Sequence, residues 1–417
     1  MRSGDALSAG EDTTMNAAIS DATPIGPQAQ ARPRLHYLDN LRAFIIVIVV
    51  VFHAAMNFMA GCPDWWPVID TRSSLFFTWV VLLTDVPIMP VMFLIAGYFG
   101  LASLSRKGLR AFWQDKLLRI VLPWVAGVLI VAPFLPWLWL VSRLPDPPSF
   151  SYFWLHMFFT ERFATQGALW FLGILTVFYL GLSAVSLVWM PLLSRSPGGT
   201  RPDFAFWIAF LALVSVVFMV INAFWPDYLW VPVKYILWVQ PTRVSLEAFY
   251  FALGVLAYRQ QWFAADGYRP KAALWLPVAI VAGWSLVSYK FMVGFDMPDP
   301  LVRGVHAILH CVFCLAATLA LIGLFQRFAN RTGPVSSRLS ASSYGLYIVH
   351  LPLVGAADLL IRGQDWNIFV KYAVVSALAL AASYLISAYG LSWLPMFGDS
   401  RRGSRPDAAA REPCPTL

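Results

Sequence analysis

LRAFIIVIVVVFHAAMNFMA, residues Leu41 to Ala60, decides the fold. Twenty residues of this apolarity match the length of helix needed to cross a bilayer core about 30 Å thick. Two ionisable residues interrupt the run, Arg42 and His53. Each costs roughly 2.5–3.5 kcal/mol inside a membrane on insertion scales, so such groups mark a pathway or a reaction centre. Their spacing of eleven residues is about three helical turns, which puts both on one face, about 16 Å apart along the axis. Arg42 then lies at one membrane surface and His53 deep in the apolar layer. That layout suits a charged ligand held at the surface while its reactive end reaches a buried base.

The rest of the chain repeats the pattern. It is 59% hydrophobic and 12% charged, with 19 Trp and 31 Phe in 417 residues. Soluble domains carry about 25% charged residues, so this is an integral membrane protein whose solvent is lipid. The net charge of +8 does not point to nucleic acid, because the cations are spread over short loops between apolar runs. The cysteines are Cys62, Cys311, Cys314 and Cys414. Cys311 and Cys314 have CxxC spacing but sit in an apolar helix without a second ligand pair, so no metal site or disulfide framework is expected.

The fold class expected is all-α: a polytopic membrane protein with about ten transmembrane helices and both termini cytoplasmic. Residues 1–34 lack the short apolar core and cleavage site of a signal peptide and are expected to be a disordered cytoplasmic tail. The transmembrane domain spans 35–398, and 399–417 form a second disordered cytoplasmic tail. Spans are expected at 41–60, 75–102, 118–141, 168–193, 204–225, 243–262, 272–293, 302–326, 340–361 and 368–396, the second kinked by Pro87 and Pro90. Residues Phe150 to Phe159 are too short to span and read as interfacial or re-entrant. Loops on one side hold 19 Lys and Arg, and the opposite loops hold five: Arg72, Arg143, Arg162, Lys234 and Arg362. That asymmetry puts both ends in the cytoplasm.

Buried polar residues follow from this topology. His53, Asp85 and His310 fall at comparable depth, and His350 lies near the midplane. Arg303, His306 and His310 share one helix face, as do Ser343, Tyr347 and His350. Each also has a plain structural reading. The histidines and Ser343 and Tyr347 suit hydrogen bonds between helices, Asp85 the backbone groups near Pro87, and Arg42 a snorkelling anchor. Asp39 suits a cap on the first helix. The basic run from Arg106 to Arg119 is, on charge alone, ordinary bias toward the cytoplasmic side.

The motifs add up in order. YLDNLRAF (Tyr37 to Phe44) followed by FHAAM (Phe52 to Met56) resembles the first span of the acyltransferase family 3 membrane proteins, whose signature is an arginine, ten residues, then a histidine. PVMFLIAGYF (Pro90 to Phe99), KLLRIVLPW (Lys116 to Trp124), ALWFLGILTVFYL (Ala168 to Leu180) and SYGLYIVHLPL (Ser343 to Leu353) are similar to its later segments. The resemblance covers about 37 to 396. Two departures stand out. Lys116 replaces the first arginine of the family's basic pair, and Gly173 to Val177 carries none of the glutamate common after LWFL. The second makes the chain look more like the branch that succinylates periplasmic glucans.

The resemblance implies an O-acyltransferase of the bacterial inner membrane. The implied donor is an acyl-coenzyme A from the cytoplasm, and the implied acceptor is a hydroxyl of a periplasmic or cell-surface glycan or other acceptor. His53 is expected as general base, since neutral imidazole, with a pKa near 6.5, accepts a proton at physiological pH. An acyl-histidine relay is the variant. Arg42, Lys116 and Arg119 are expected to hold the coenzyme phosphates, with Asp85, His310, Ser343, Tyr347 and His350 lining the acceptor side. No metal or permanently bound cofactor is expected. The rival class is a secondary transporter or flippase for a glycan or lipid-linked substrate. Such proteins usually show repeated halves, and no second copy of the Arg42–His53 pattern occurs in residues 210–396.

Overall fold

The computed structural model describes residues 35–397, apart from 161, 194–198, 234–236, 265, 295–296 and 298. Both expected tails, Arg195, Lys234 and Cys414 lie outside the described residues. The described chain is a helical bundle. Its first helices are α1 (His36–Met56), α2 (Leu75–Lys116), α3 (Leu122–Ile130), α4 (Phe134–Arg143) and a single turn, α5 (Phe150–Tyr152). Then come α6 (Trp170–Val188), α7 (Phe204–Phe224), α8 (Pro241–Arg259), α9 (Ala272–Val293), α10 (Pro300–Phe328), α11 (Pro334–Ile361) and α12 (Ile368–Leu385). A small antiparallel hairpin, β1 (Val231–Val233) and β2 (Leu237–Val239), lies between α7 and α8.

Eight helical stretches among the described residues are long and apolar enough to cross a membrane, against the ten expected. Two local causes explain the difference. The stretch Leu75–Arg143 is one run of helices and a turn, yet its backbone leaves the helical region at Gly108, with φ 74° and ψ 168°. Only glycine adopts that conformation at little cost, so the chain turns there and the stretch divides into two. The other missing segment is α8, whose Arg243 and Glu247 lower its apolarity. It is nevertheless locked into the bundle. Gly97 of α2 sits against the Phe251 carbonyl of α8, and Gly254 of α8 against the Leu94 carbonyl of α2. Such small-residue contacts let helix backbones approach closely in lipid.

Other expectations shift for physical reasons. α2 runs through Pro87 and Pro90, and its non-helical residue is Gly108, not a residue at the prolines. Pro90 cannot donate to the Val86 carbonyl, and the thiol of Cys314 donates to it instead at 3.8 Å. That contact gives half of the CxxC pair a packing role, and Cys311 and Cys314 are both free and buried. Asp39 lies in the first turn of α1, whose cap position is Leu35, so its carboxylate faces the positive end of the helix dipole without capping it. α1 ends at Met56, not at residue 60, because the chain folds back on itself. Asp70 N–H donates to the Asn57 carbonyl, and Ser74 N–H to that of Phe58, both at 2.9 Å. α11 begins six residues early, at Pro334, where proline at the first position and the Ser336 hydroxyl accepting from Gly333 N–H start the helix. Residues 150–157 form a short helix, α5 running on into five π-helical residues, pinned by Trp154, whose indole donates to the Leu129 carbonyl.

α1 is the inner helix. It packs against α2, α10, α11 and α12, and twelve of its residues are buried. Large apolar side chains such as Val188, Phe204, Val281, Trp284 and Leu360 are exposed on outer helices, as a lipid-facing surface requires.

Candidate active site

His53 stands in the last turn of α1, and α11 brings His350 to it. His53 Nδ1 lies 2.9 Å from His350 Nε2, and His350 Nδ1 lies 2.6 Å from the carbonyl oxygen of Tyr347. A carbonyl only accepts, so His350 Nδ1 carries the proton. In the neutral ring Nε2 is then the acceptor, and His53 donates to it from Nδ1. The chain of partners thus assigns the lone pair of His53 to Nε2. The far end of the relay is anchored as well, because the Tyr347 hydroxyl donates to the Ala168 carbonyl at the start of α6. His350 is fully buried and His53 is half-buried.

A loop covers the pair. Trp66 stacks on the His53 ring, with centroids 5.6 Å apart and planes 11° from parallel. The loop is held at its backbone: Arg143 of α4 donates to the carbonyls of Asp64, Trp66 and Pro67 at 3.0–3.1 Å. The Trp139 indole adds a bond to the Asp64 carbonyl at 2.7 Å. At its far end Asp70 is bound by Lys371 of α12 at 2.9 Å, a pair with both side chains fully buried. An imidazole fixed under an aromatic cover, with one nitrogen lone pair directed by its partner, can accept a proton or act as a nucleophile.

A family model described as an acyltransferase domain matches residues 35–388. The chain belongs to the acyltransferase 3 family. It is a multi-pass membrane acyltransferase, transferring groups other than aminoacyl groups. Its similar relatives include glucans biosynthesis protein C of Salmonella schwarzengrund (strain CVM19633), 22% identical over 344 residues, 77% of this chain and 82% of the relative. The protein of that name from Salmonella typhimurium is 21% identical over the same shares of the two chains. No solved structure matches the chain.

Within this acyltransferase, the residues proposed from sequence separate into groups. Tyr347 and His350 stand at His53. Ser343 is buried on the same helix, but its hydroxyl donates to the Ser340 carbonyl at 2.9 Å and not toward the histidines. Arg42 is half-buried on α1, on the face it shares with His53. Lys116 and Arg119 gather on Asp115, at 3.6 and 3.4 Å, and Lys107 joins them at 3.1 Å. Lys116 also lies over the rings of Tyr179 and Phe112 at 5.0 and 5.2 Å. Asp115 went unread in the sequence, although it stands four residues before Arg119, the spacing of a helical ion pair.

Asp85 and His310, expected to line the acceptor side, make their polar contacts in a second cluster, where His310 is buried and Asp85 half-buried. Asp85 is paired with Arg243 of α8. His310 and His306 of α10 face Asp227 at 4.0 and 3.7 Å, and Lys290 of α9 binds the same carboxylate oxygen at 3.2 Å. Burial raises a carboxyl's pKa, but Lys290, His306 and Arg243 together hold Asp227 well below the usual carboxylate range. Ligand atoms of Asp227, His306 and His310 lie within 4.8 Å of one another, close enough to consider a metal. The Lys290 ammonium already supplies that carboxylate with its counter-charge, and a dication would have to face it. The cluster reads as an ion pair that fixes the hairpin between α7 and α8. The sequence signal that could have found it is a lysine, Lys290, inside an apolar span.

Proposed function

We propose that this enzyme moves an acyl group, such as acetyl or succinyl, from a cytoplasmic acyl-coenzyme A to a hydroxyl of a glycan outside the inner membrane. His53 Nε2 is the general base that takes the hydroxyl proton. The observation that carries this reading is the relay from the Tyr347 carbonyl through His350 to His53, which leaves the lone pair on one defined nitrogen. The glycan acceptor is supported by the names of the Salmonella relatives, glucans biosynthesis protein C. The orientation is supported by the excess of Lys and Arg in alternate loops. Cysteines introduced near Lys107 are expected to label only from the cytoplasm, and labelling from outside would reverse the proposed direction.

The donor's phosphates are assigned to Arg42, Lys116 and Arg119. Arginine forks and lysine ammonium groups suit phosphate oxygens, and Asp115 holds Lys116 and Arg119 near each other in advance. Two measurements test the whole reading. Mass spectrometry of surface and periplasmic glycans with and without the protein should reveal an acyl mass shift, and the purified enzyme should release free coenzyme A. A transporter would do neither. Lys116→Ala with Arg119→Ala should raise the KM for acyl-coenzyme A, since charged hydrogen bonds are worth about 1.5–3 kcal/mol each. An unchanged donor KM would return these residues to a purely topological role.

A further inference from the structure

Asn57 follows the end of α1 but keeps right-handed helical backbone angles, φ −62° and ψ −25°. It therefore stands four residues after His53 on the same face. The residue is 1% exposed. The indole N–H of Trp66 meets its Oδ1 at 2.7 Å. An indole nitrogen only donates, so this contact fixes the amide with Oδ1 toward Trp66 and Nδ2 turned the other way. Nδ2 has no hydrogen-bond partner among the described residues, although it is buried. A buried donor left unpaired costs about 1–3 kcal/mol and calls for an acceptor that arrives with a ligand. The indole that aims the amide is also the ring stacked on His53. The backbone of Asn57 is held too, its carbonyl accepting from Asp70 N–H at 2.9 Å.

We propose that Asn57 Nδ2 is the oxyanion donor of the acyl transfer, with Trp66 as the residue that aims it. The proposal rests on the acyl-transfer reading given above. The acceptor hydroxyl oxygen attacks the thioester carbonyl carbon, and its proton passes to His53 Nε2. A C–O bond forms while the carbonyl π pair moves onto oxygen, and Nδ2–H donates to that oxyanion. As the π bond re-forms, the C–S bond breaks and its electron pair leaves on sulfur. The thiolate regains a proton from the His53 imidazolium, so thioester and alcohol become ester and thiol. Donors fixed in advance at the oxyanion act without reorganising, which makes them effective in a buried site.

The test uses the full-length enzyme in detergent, with succinyl- or acetyl-coenzyme A as donor and a glucose oligosaccharide as acceptor. It reads ester formation, thiol release and thermal unfolding. Asn57→Asp keeps the acceptor for Trp66 and nearly the same volume, but removes the donor. It is expected to lower kcat by about 10²–10³-fold, with KM for the donor changed less than about threefold. Trp66→Phe keeps the stack and loses only the aiming bond, and is expected to lose less than about tenfold. A merely structural Asn57 would give the reverse order, with Asn57→Asp close to wild type and Trp66→Phe the worse. Should Asn57→Asp not fold, Asn57→Leu, uncharged and similar in volume, carries the same expected loss. Transfer by the wild type with Asn57→Asp, or its Asn57→Leu replacement, within about threefold in kcat overturns the oxyanion role alone. No transfer by the wild type overturns the acyl-transfer reading and this proposal with it.

Discussion

His53→Asn is expected to yield an inserted, folded enzyme whose acyl transfer is slower by about 10²–10⁴-fold, the usual contribution of a positioned general base. Asparagine approximates the size of the ring and keeps an N–H able to meet His350 Nε2, so the packing of α1 on α11 survives. What it lacks is a nitrogen lone pair that can take a proton. The loss therefore belongs in kcat, with the KM for acyl-coenzyme A little changed, because the donor phosphates are assigned to Arg42, Lys116 and Arg119. Arg42→Ala should differ in kind and raise the donor KM. Steady-state kinetics on purified protein in detergent, with unfolding temperature recorded alongside, separates the two outcomes. Near-normal turnover by His53→Asn would remove His53 from the chemistry and move attention to His350.

Much of this site was legible because membrane proteins expose their anomalies in sequence. A histidine inside an apolar run costs enough to be noticed, and so His53 and His350 stand out from plain hydropathy. The apolar segments were legible for the same reason, and eight helical stretches among the described residues are long and apolar enough to cross a membrane, against the ten expected. The contact of His53 with His350 was not legible, since it joins residues almost three hundred positions apart and nothing in spacing reports it. The loop from Asn57 to Ser74 was hidden by its own composition. Phe58, Met59 and Ala60 continue the apolar run of α1 past Asn57, which made the helix look four residues longer than it is. Its capture depends on backbone carbonyls held by Arg143, and carbonyls carry no sequence signal. Asp115 and Lys290 were legible in principle. Asp115 shows itself by its spacing to Arg119, and Lys290 as a charge inside the apolar α9.

Lys371→Met is expected to destabilise the protein by about 3–5 kcal/mol, the usual cost of removing one partner from a buried ion pair. Lys371 is fully enclosed, binds both oxygens of Asp70 at 2.9 and 3.2 Å and donates to the Arg362 carbonyl at 2.9 Å. Asp358 is fully buried as well, and neither of its carboxyl oxygens has a hydrogen-bond partner among the described residues. Without the ammonium, the buried Asp70 carboxylate loses its counter-charge. The double variant Asp70→Asn with Lys371→Met removes both charges and should recover most of the loss, because a buried pair and an apolar replacement are often close in energy. The consequence reaches His53. Asp70 ties the end of the loop that carries Trp66, so Lys371→Met should also lower kcat in protein that remains folded. Denaturant unfolding in detergent measures the first effect and thiol release the second. A loss below about 1 kcal/mol would put the pair in the class of exposed salt bridges and detach it from the loop's role.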